Sequence, residues 1–138
     1  MEISIHNFDN KLRISKQDLY ELVRKSVDKI DLVIESCRII FIGDETLREM
    51  HEEYLDDPDY TDVITFNLGE EKIEGEIYIS LDRVIENARL FKVSTENEIY
   101  RTIIHGLLHL KGFNDKSEHE KEIMKHQENE LLKSLQIY

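Results

Sequence analysis

Residues 61–81 read TDVITFNLGEEKIEGEIYISL, and this stretch decides the fold. The runs TDVITFNL and EGEIYISL are rich in β-branched and aromatic residues, and turn-forming residues around Gly69 to Lys72 separate them. Strands joined by so short a connection pair antiparallel, as a hairpin. Upstream, Cys37–Ile42 is an unbroken apolar run closed by Gly43, which suits a strand covered on both faces. Residues 2–8 alternate and read as a further strand, after which Asn10 can turn the chain.

The remaining sequence repeats at helical spacing. Ser15 with Asp18 forms a capping-box start for a helix carrying Leu19, Leu22, Val23 and Ile30. Asp44 offers an N-cap for a helix running to about Tyr54, with Leu47, Met50 and Tyr54 on one side. Pro58, in LDDPDY, breaks it. From Asp82 to about Phe91, the residues Val84, Ile85, Ala88 and Phe91 describe another helix. Thr95 with Glu98 forms a second capping box, opening a helix that is apolar on most sides and belongs inside the molecule. Ser117 with Glu120 starts a last helix, with Ile123, Leu131 and Leu135 packing inward. The order of elements predicts an α+β fold, a small mixed β-sheet of about four strands packed with about five helices.

With 138 residues, the chain has the size of one domain, expected to span 1–138. Hydrophobic residues make up 40% and charged ones 35%, which supports a core and excludes global disorder. No run of apolar residues approaches membrane-spanning length, and the amino terminus lacks a signal-peptide pattern. A cytoplasmic protein with no membrane partner is expected. The lone cysteine, Cys37, excludes an intrachain disulfide and reads as a small buried hydrophobe. The net charge of −12 disfavours nonspecific attraction to phosphate backbones, so a nucleic-acid partner requires a local basic patch.

The chemistry concentrates in HGLLHLKGFND, His105–Asp115. Residues four apart share one helix face, so the imidazoles of His105 and His109 can grip a single divalent ion. Gly112 then ends the helix cheaply, and Asp115 follows at an offset from which the turn can bring an oxygen ligand back. Three ligands leave a position open for water, as in catalytic rather than structural zinc sites. His119 lies near enough in sequence to replace Asp115. His126 reads as solvent-facing, and His6 and His51 are too detached to assign. Zinc peptidases of the HExxH type carry a glutamate after the first histidine, and this chain has Gly106 there. A peptidase of that type would lack its general base.

HGLLHLKGFND resembles the signature of the YbeY family of ribosomal RNA maturation factors, H-G-x-L-H-L-x-G-[YF]-D-H. TDVITF resembles the family's T-D-V-L-S-F strand and GEIYIS its G-D-I-x-I-S strand, in the family's order and with a likeness extending over the whole chain. The resemblance implies a zincin-like metal-binding helix and a metal-dependent, zinc-binding endoribonuclease. It further implies work in small-subunit rRNA processing and ribosome quality control, with rRNA and the small subunit or its proteins as partners.

By position, the implied metal ligands are His105, His109 and Asp115, holding one Zn2+. Asp115 stands where the family has a third histidine, which makes the site less positive by one unit. No catalytic general base is assigned. Leu55 occupies the place of a family arginine, Asn67 that of a proline, and Thr65 keeps the hydroxyl of a serine. Lys72, Arg101 and Lys111 flank the motifs and are candidates to meet phosphate. The alternative expectation is a non-catalytic ribosome-assembly factor with a structural zinc, which the acidity and Leu55 favour.

Overall fold

Period-two patterning in the sequence becomes a four-stranded mixed sheet with the spatial order β1-β2-β4-β3. The computed structural model describes residues 1–137. The strands are β1 (Glu2–His6), β2 (Ile34–Ile42), β3 (Val63–Asn67) and β4 (Ile73–Ser80). β1 and β4 run parallel to β2 on its two sides. β3 pairs antiparallel with β4, placing Val63 opposite Ile79 and Asn67 opposite Gly75, so the expected hairpin forms at the sheet edge. β2 starts at Ile34, ahead of the apolar run, because Ile34 is buried and pairs with Ile73.

The helices are α1 (Lys16–Lys29), α2 (Asp44–Leu55), α3 (Leu81–Phe91), α4 (Thr95–Lys111) and α5 (Glu118–Ser134). Both outer capping boxes, Ser15 with Asp18 and Ser117 with Glu120, are present. Two caps fall one residue earlier than expected. Gly43, not Asp44, caps α2. Asp44 instead accepts hydrogen bonds from Ser80 Oγ at 2.9 Å and Arg83 Nη2 at 2.7 Å, tying α2 to the start of α3. Ser94 rather than Thr95 caps α4, accepting from the Asn97 backbone N–H, and Glu98 is left to turn inward.

α4 is the central helix. It packs against α1, α3, α5, β3 and β4, and Ile99, Ile103, Ile104, Leu107 and Leu108 are fully buried. Each such side chain contributes on the order of 1.5–3 kcal/mol of hydrophobic stabilisation. α4 lies close on the sheet because Gly106 carries no side chain. A Cβ there would come within 2.9 Å of Ile77 Cδ1 and 3.0 Å of Thr65 Oγ1. Gly112, at φ 120°, then ends the helix in a conformation that L side chains rarely adopt.

One apolar expectation is corrected, and two further helices carry apolar residues outside the core. Ile123 is 39% exposed, whereas Leu131 is buried and Leu135 packs against the core as expected, and Met124 and Leu132 complete the inner stripe of α5. Ile85 and Phe91 of α3 face outward while Val84 and Ala88 pack, so the inner face of that helix is narrower than its apolar content suggests. On α2, Leu47 is buried, but Tyr54 remains exposed and meets Phe66 edge to face at 5.6 Å between centroids. No helix among the described residues is long and apolar enough to cross a membrane.

Candidate metal centre

α4 presents His105 and His109 one turn apart on the same face, and the chain reversal at Gly112 returns Asp115 to them. His105 Nε2 lies 3.0 Å from His109 Nε2, and Asp115 Oδ2 lies 3.1 and 3.3 Å from the two nitrogens. The other ring nitrogens are committed. His109 Nδ1–H donates to the Phe113 carbonyl at 2.9 Å, and His105 Nδ1–H donates to Glu128 Oε2 at 2.6 Å. A carbonyl can only accept, so His109 carries its proton on Nδ1 and turns a bare Nε2 lone pair toward its neighbour.

Two ring nitrogens and a carboxylate oxygen thus face a common point that only a proton or a cation can occupy favourably. Ligand bonds of about 2.0–2.1 Å in a tetrahedral shell put neighbouring donor atoms roughly 3.3 Å apart. The observed triangle has that size, and its N/N/O donor set suits zinc. Among the described residues this is the one group of three histidine, cysteine or carboxylate side chains able to hold an ion. His119 and His126 on α5 are exposed and stand outside it. His6 bonds Ser4, and His51 bonds the Asp59 carbonyl.

Glu128 on α5 was not singled out by sequence reasoning. It is buried, and its second oxygen takes a 3.0 Å ion pair from Arg101, whose other nitrogen donates to Asn129 at 2.7 Å. Metal-binding histidines gain orientation and basicity from such an outer carboxylate. The available signal was a single acid on the Met124, Leu131, Leu132 stripe. Burial alone pulls the His105 pKa down, but the Glu128 hydrogen bond and the charges of Glu128, Asp115 and Asp62 outweigh it and raise the pKa above 6.5.

A cleft of about 600 Å3 opens beside the triad, sharing His105 and Asp115 with it. Asp62, from the TDV motif, and Glu98, from α4, line the cleft, and burial raises both carboxyl pKa values. Of the cations proposed for phosphate, Arg101 reaches the cleft but is committed to Glu128 and Asn129. Lys72 pairs with Glu35, and Lys111 donates to the Asp31 carbonyl, so the structure does not bring these two to the triad.

The departures from the family pattern have separate structural settings. Leu55 is 54% exposed at the end of α2. Asn67 Oδ1 accepts from the backbone N–H groups of Gly69 and Glu74, bracing the hairpin turn. Thr65 Oγ1 is buried beneath α4 and has no hydrogen-bond partner among the described residues. Cys37 is buried as expected, and desolvation pushes its thiol pKa up to about 12.

The profile of the family described as Endoribonuclease YbeY matches residues 4–136. A Christiangramia forsetii protein named Endoribonuclease YbeY is 37% identical over 133 residues, covering 95% of this chain and 92% of the relative. A Bacteroides fragilis protein of the same name is 39% identical over 120 residues, covering 86% of each. The solution structure of TM1509 from Thermotoga maritima superposes with a TM-score of 0.63 at 31% identity, covering 97% of this chain and 91% of that one.

Proposed function

The chain belongs to the endoribonuclease YbeY family, and from that premise we propose that it is a zinc-dependent endoribonuclease acting in small-subunit rRNA processing and ribosome quality control. The observation that carries the reading is the convergence of His105 Nε2, His109 Nε2 and Asp115 Oδ2 within 3.3 Å of one another. In this reading residues 1–138 form a single metal-dependent hydrolase domain. The continuous core from Ile5 to Leu132 supports that. The protein works in the cytoplasm, where its substrate is found.

His105, His109 and Asp115 would hold one Zn2+, and Glu128 and the Phe113 carbonyl keep both rings turned for it. When bound, zinc supplies Lewis-acid polarisation of a phosphoryl oxygen and lowers the pKa of water toward about 7. Position 106 cannot serve as base, because its Cα faces Ile77 and Thr65 on the sheet and not the cleft. The fit with a peptidase is correspondingly poor. The triad is half-buried and borders the cleft through His105 and Asp115, so a scissile group held there would lie where water is partly excluded.

The test is cleavage of a model small-subunit rRNA precursor by the zinc-loaded protein, a chelator-treated control and the His109→Ala variant. Cleavage confined to the loaded native protein supports the reading. Cleavage that persists in both controls sinks it. The second reading, a non-catalytic assembly factor with a structural zinc, draws support from the net charge of −12 and from α2, whose exposed acids suit a basic ribosomal protein. It predicts ribosomal-subunit binding with no cleavage in any arm.

A further inference from the structure

We propose that the cleft beside the metal triad is a nucleobase subsite that selects guanine, read by the carboxylates of Glu98 and Asp62. The proposal rests on the endoribonuclease reading above, and it names the part of the substrate that this cleft receives.

The polar groups of the cleft are unevenly satisfied. Glu98 is only 5% exposed, yet its side chain accepts no hydrogen bond and forms no ion pair among the described residues. Its oxygens keep contact with solvent through the cleft, and the Arg101 charge acts on them only at a distance, so their hydrogen-bond donors must come from water or from a ligand. Asp62 has one side-chain partner, Asn87 Nδ2 at 3.3 Å, which leaves acceptor capacity on its oxygens. Two of the cations nearby are in use, Arg101 serving Glu128 and Asn129 and Lys121 pairing with Glu118, and the third, Lys125, is exposed at the rim. What the interior of the cleft lacks is N–H groups, not acceptors.

Three kinds of occupant can be weighed against that deficit. A phosphate brings further acceptors and negative charge next to two carboxylates, so it is excluded from the interior. A second metal ion needs three or more close protein ligands, and among the described residues Asp62 and Glu98 belong to no such group. A nucleobase brings N–H donors on a flat apolar ring. Phe91, 63% exposed, with Val93 and Met124, supplies an apolar wall for such a ring. Unstacked RNA bases are recognised in this way, by aromatic contact and by hydrogen bonds to their Watson–Crick edges.

The choice among bases follows from donor count. Guanine alone presents two adjacent donors on that edge, N1–H and the N2 amino group, whereas uracil has one N–H and adenine and cytosine one amino group. Glu98 precedes His105 by seven positions on α4, about 10 Å along the axis at 1.5 Å per residue. That separation matches the reach from a phosphate at the triad to the far edge of a neighbouring base. Lys125, exposed at the cleft rim, is placed for the outgoing backbone.

The test is an NMR titration of the metal-free protein with the monophosphates of guanosine, inosine, adenosine, cytidine and uridine. The expected result is guanosine monophosphate binding at least about tenfold tighter than uridine or inosine monophosphate, the latter lacking the N2 amino group. Glu98→Gln and Asp62→Asn should each remove most of that preference. Equal affinities overturn the proposal, as does an unchanged preference in both variants or saturation of the cleft by Mg2+ alone. The comparison among nucleotides on the native protein needs no variant to fold. Zinc-dependent RNA cleavage without guanine binding sinks the subsite alone, whereas guanine binding without cleavage by the loaded protein sinks the nuclease reading alone.

Discussion

Glu128 Oε2 sits 2.6 Å from His105 Nδ1, so a residue of α5 fixes the ring of a candidate ligand on α4. Arg101, one turn before His105 on the same helix, holds the far oxygen of that carboxylate. The pair makes α5 part of the candidate metal centre, to which it offers none of the three candidate ligands. Glu128→Gln keeps the shape and weakens the acceptor. Its zinc affinity should fall about 10–100-fold, read by competition with a chromophoric chelator. Arg101→Gln, which leaves Glu128 in place, should cost less. Equal zinc affinity in native and Glu128→Gln proteins would show that the contact is incidental.

Gly106 separates this centre from an HExxH peptidase by steric necessity. A Cβ at that position already crowds Ile77 Cδ1 at 2.9 Å and Thr65 Oγ1 at 3.0 Å. A glutamate would add a charge between helix and sheet, with no cation nearby to pair it. Gly106→Glu should therefore destabilise the fold by at least about 3 kcal/mol in urea denaturation and confer no casein hydrolysis. Ala at 106 is the milder comparison, because the gain in helix propensity, about 1 kcal/mol, offsets part of the crowding.

What was legible in the sequence is what depends on local spacing. The four-residue interval between His105 and His109, the Gly112 helix end and the Asp115 offset are properties of a helix and its turn, and the structure brings those three side chains together. The hairpin and the mixed sheet follow from short connections and strand patterning. Glu128 and Asp62 reach the site through tertiary packing, which no local period encodes. Glu98 was hidden for another reason: Ser94 and Thr95 are both good caps, and choosing Thr95 assigned Glu98 to a capping box. The inner face of α5 is misplaced at one position because Ile123 fits the helical period yet lies beyond the packed stripe.

The pH dependence of the metal-free chain has a definite sign. His105, Glu98 and Asp62 all have folded-state pKa values raised above 6.5, 4.5 and 3.8 respectively. The native state then binds protons more tightly than the unfolded chain, so stability falls as pH rises through each raised value. On the acid side, the Arg83 hydrogen bond lowers the Asp44 pKa below 3.8, so the stability it contributes is lost as pH falls through that lowered value. The melting temperature of the chelated protein should therefore peak at mildly acidic pH and decline toward mildly alkaline pH. Zinc should reverse the upper limb, because ligating imidazoles must first lose their protons. Parallel melting curves with chelator and with zinc check this, and a zinc increment that does not grow with pH contradicts it.

Asp115 supplies the remaining test, since its carboxylate closes the triangle at 3.1 and 3.3 Å where the family pattern has histidine. Its charge lowers the Lewis acidity of a bound cation relative to three neutral imidazoles, and it also favours a proton on His105 when no metal is present. Asp115→His should thus retain zinc, make the site more positive by one unit, and raise the cleavage rate on a fixed RNA substrate. Asp115→Ala should lose zinc affinity outright, because two histidines alone leave the ion without its third protein ligand. If Asp115→Ala binds zinc as tightly as the native chain, another side chain completes the shell. Exposed His119 is the nearest alternative in sequence, and the Asp115→Ala/His119→Ala double variant would identify it.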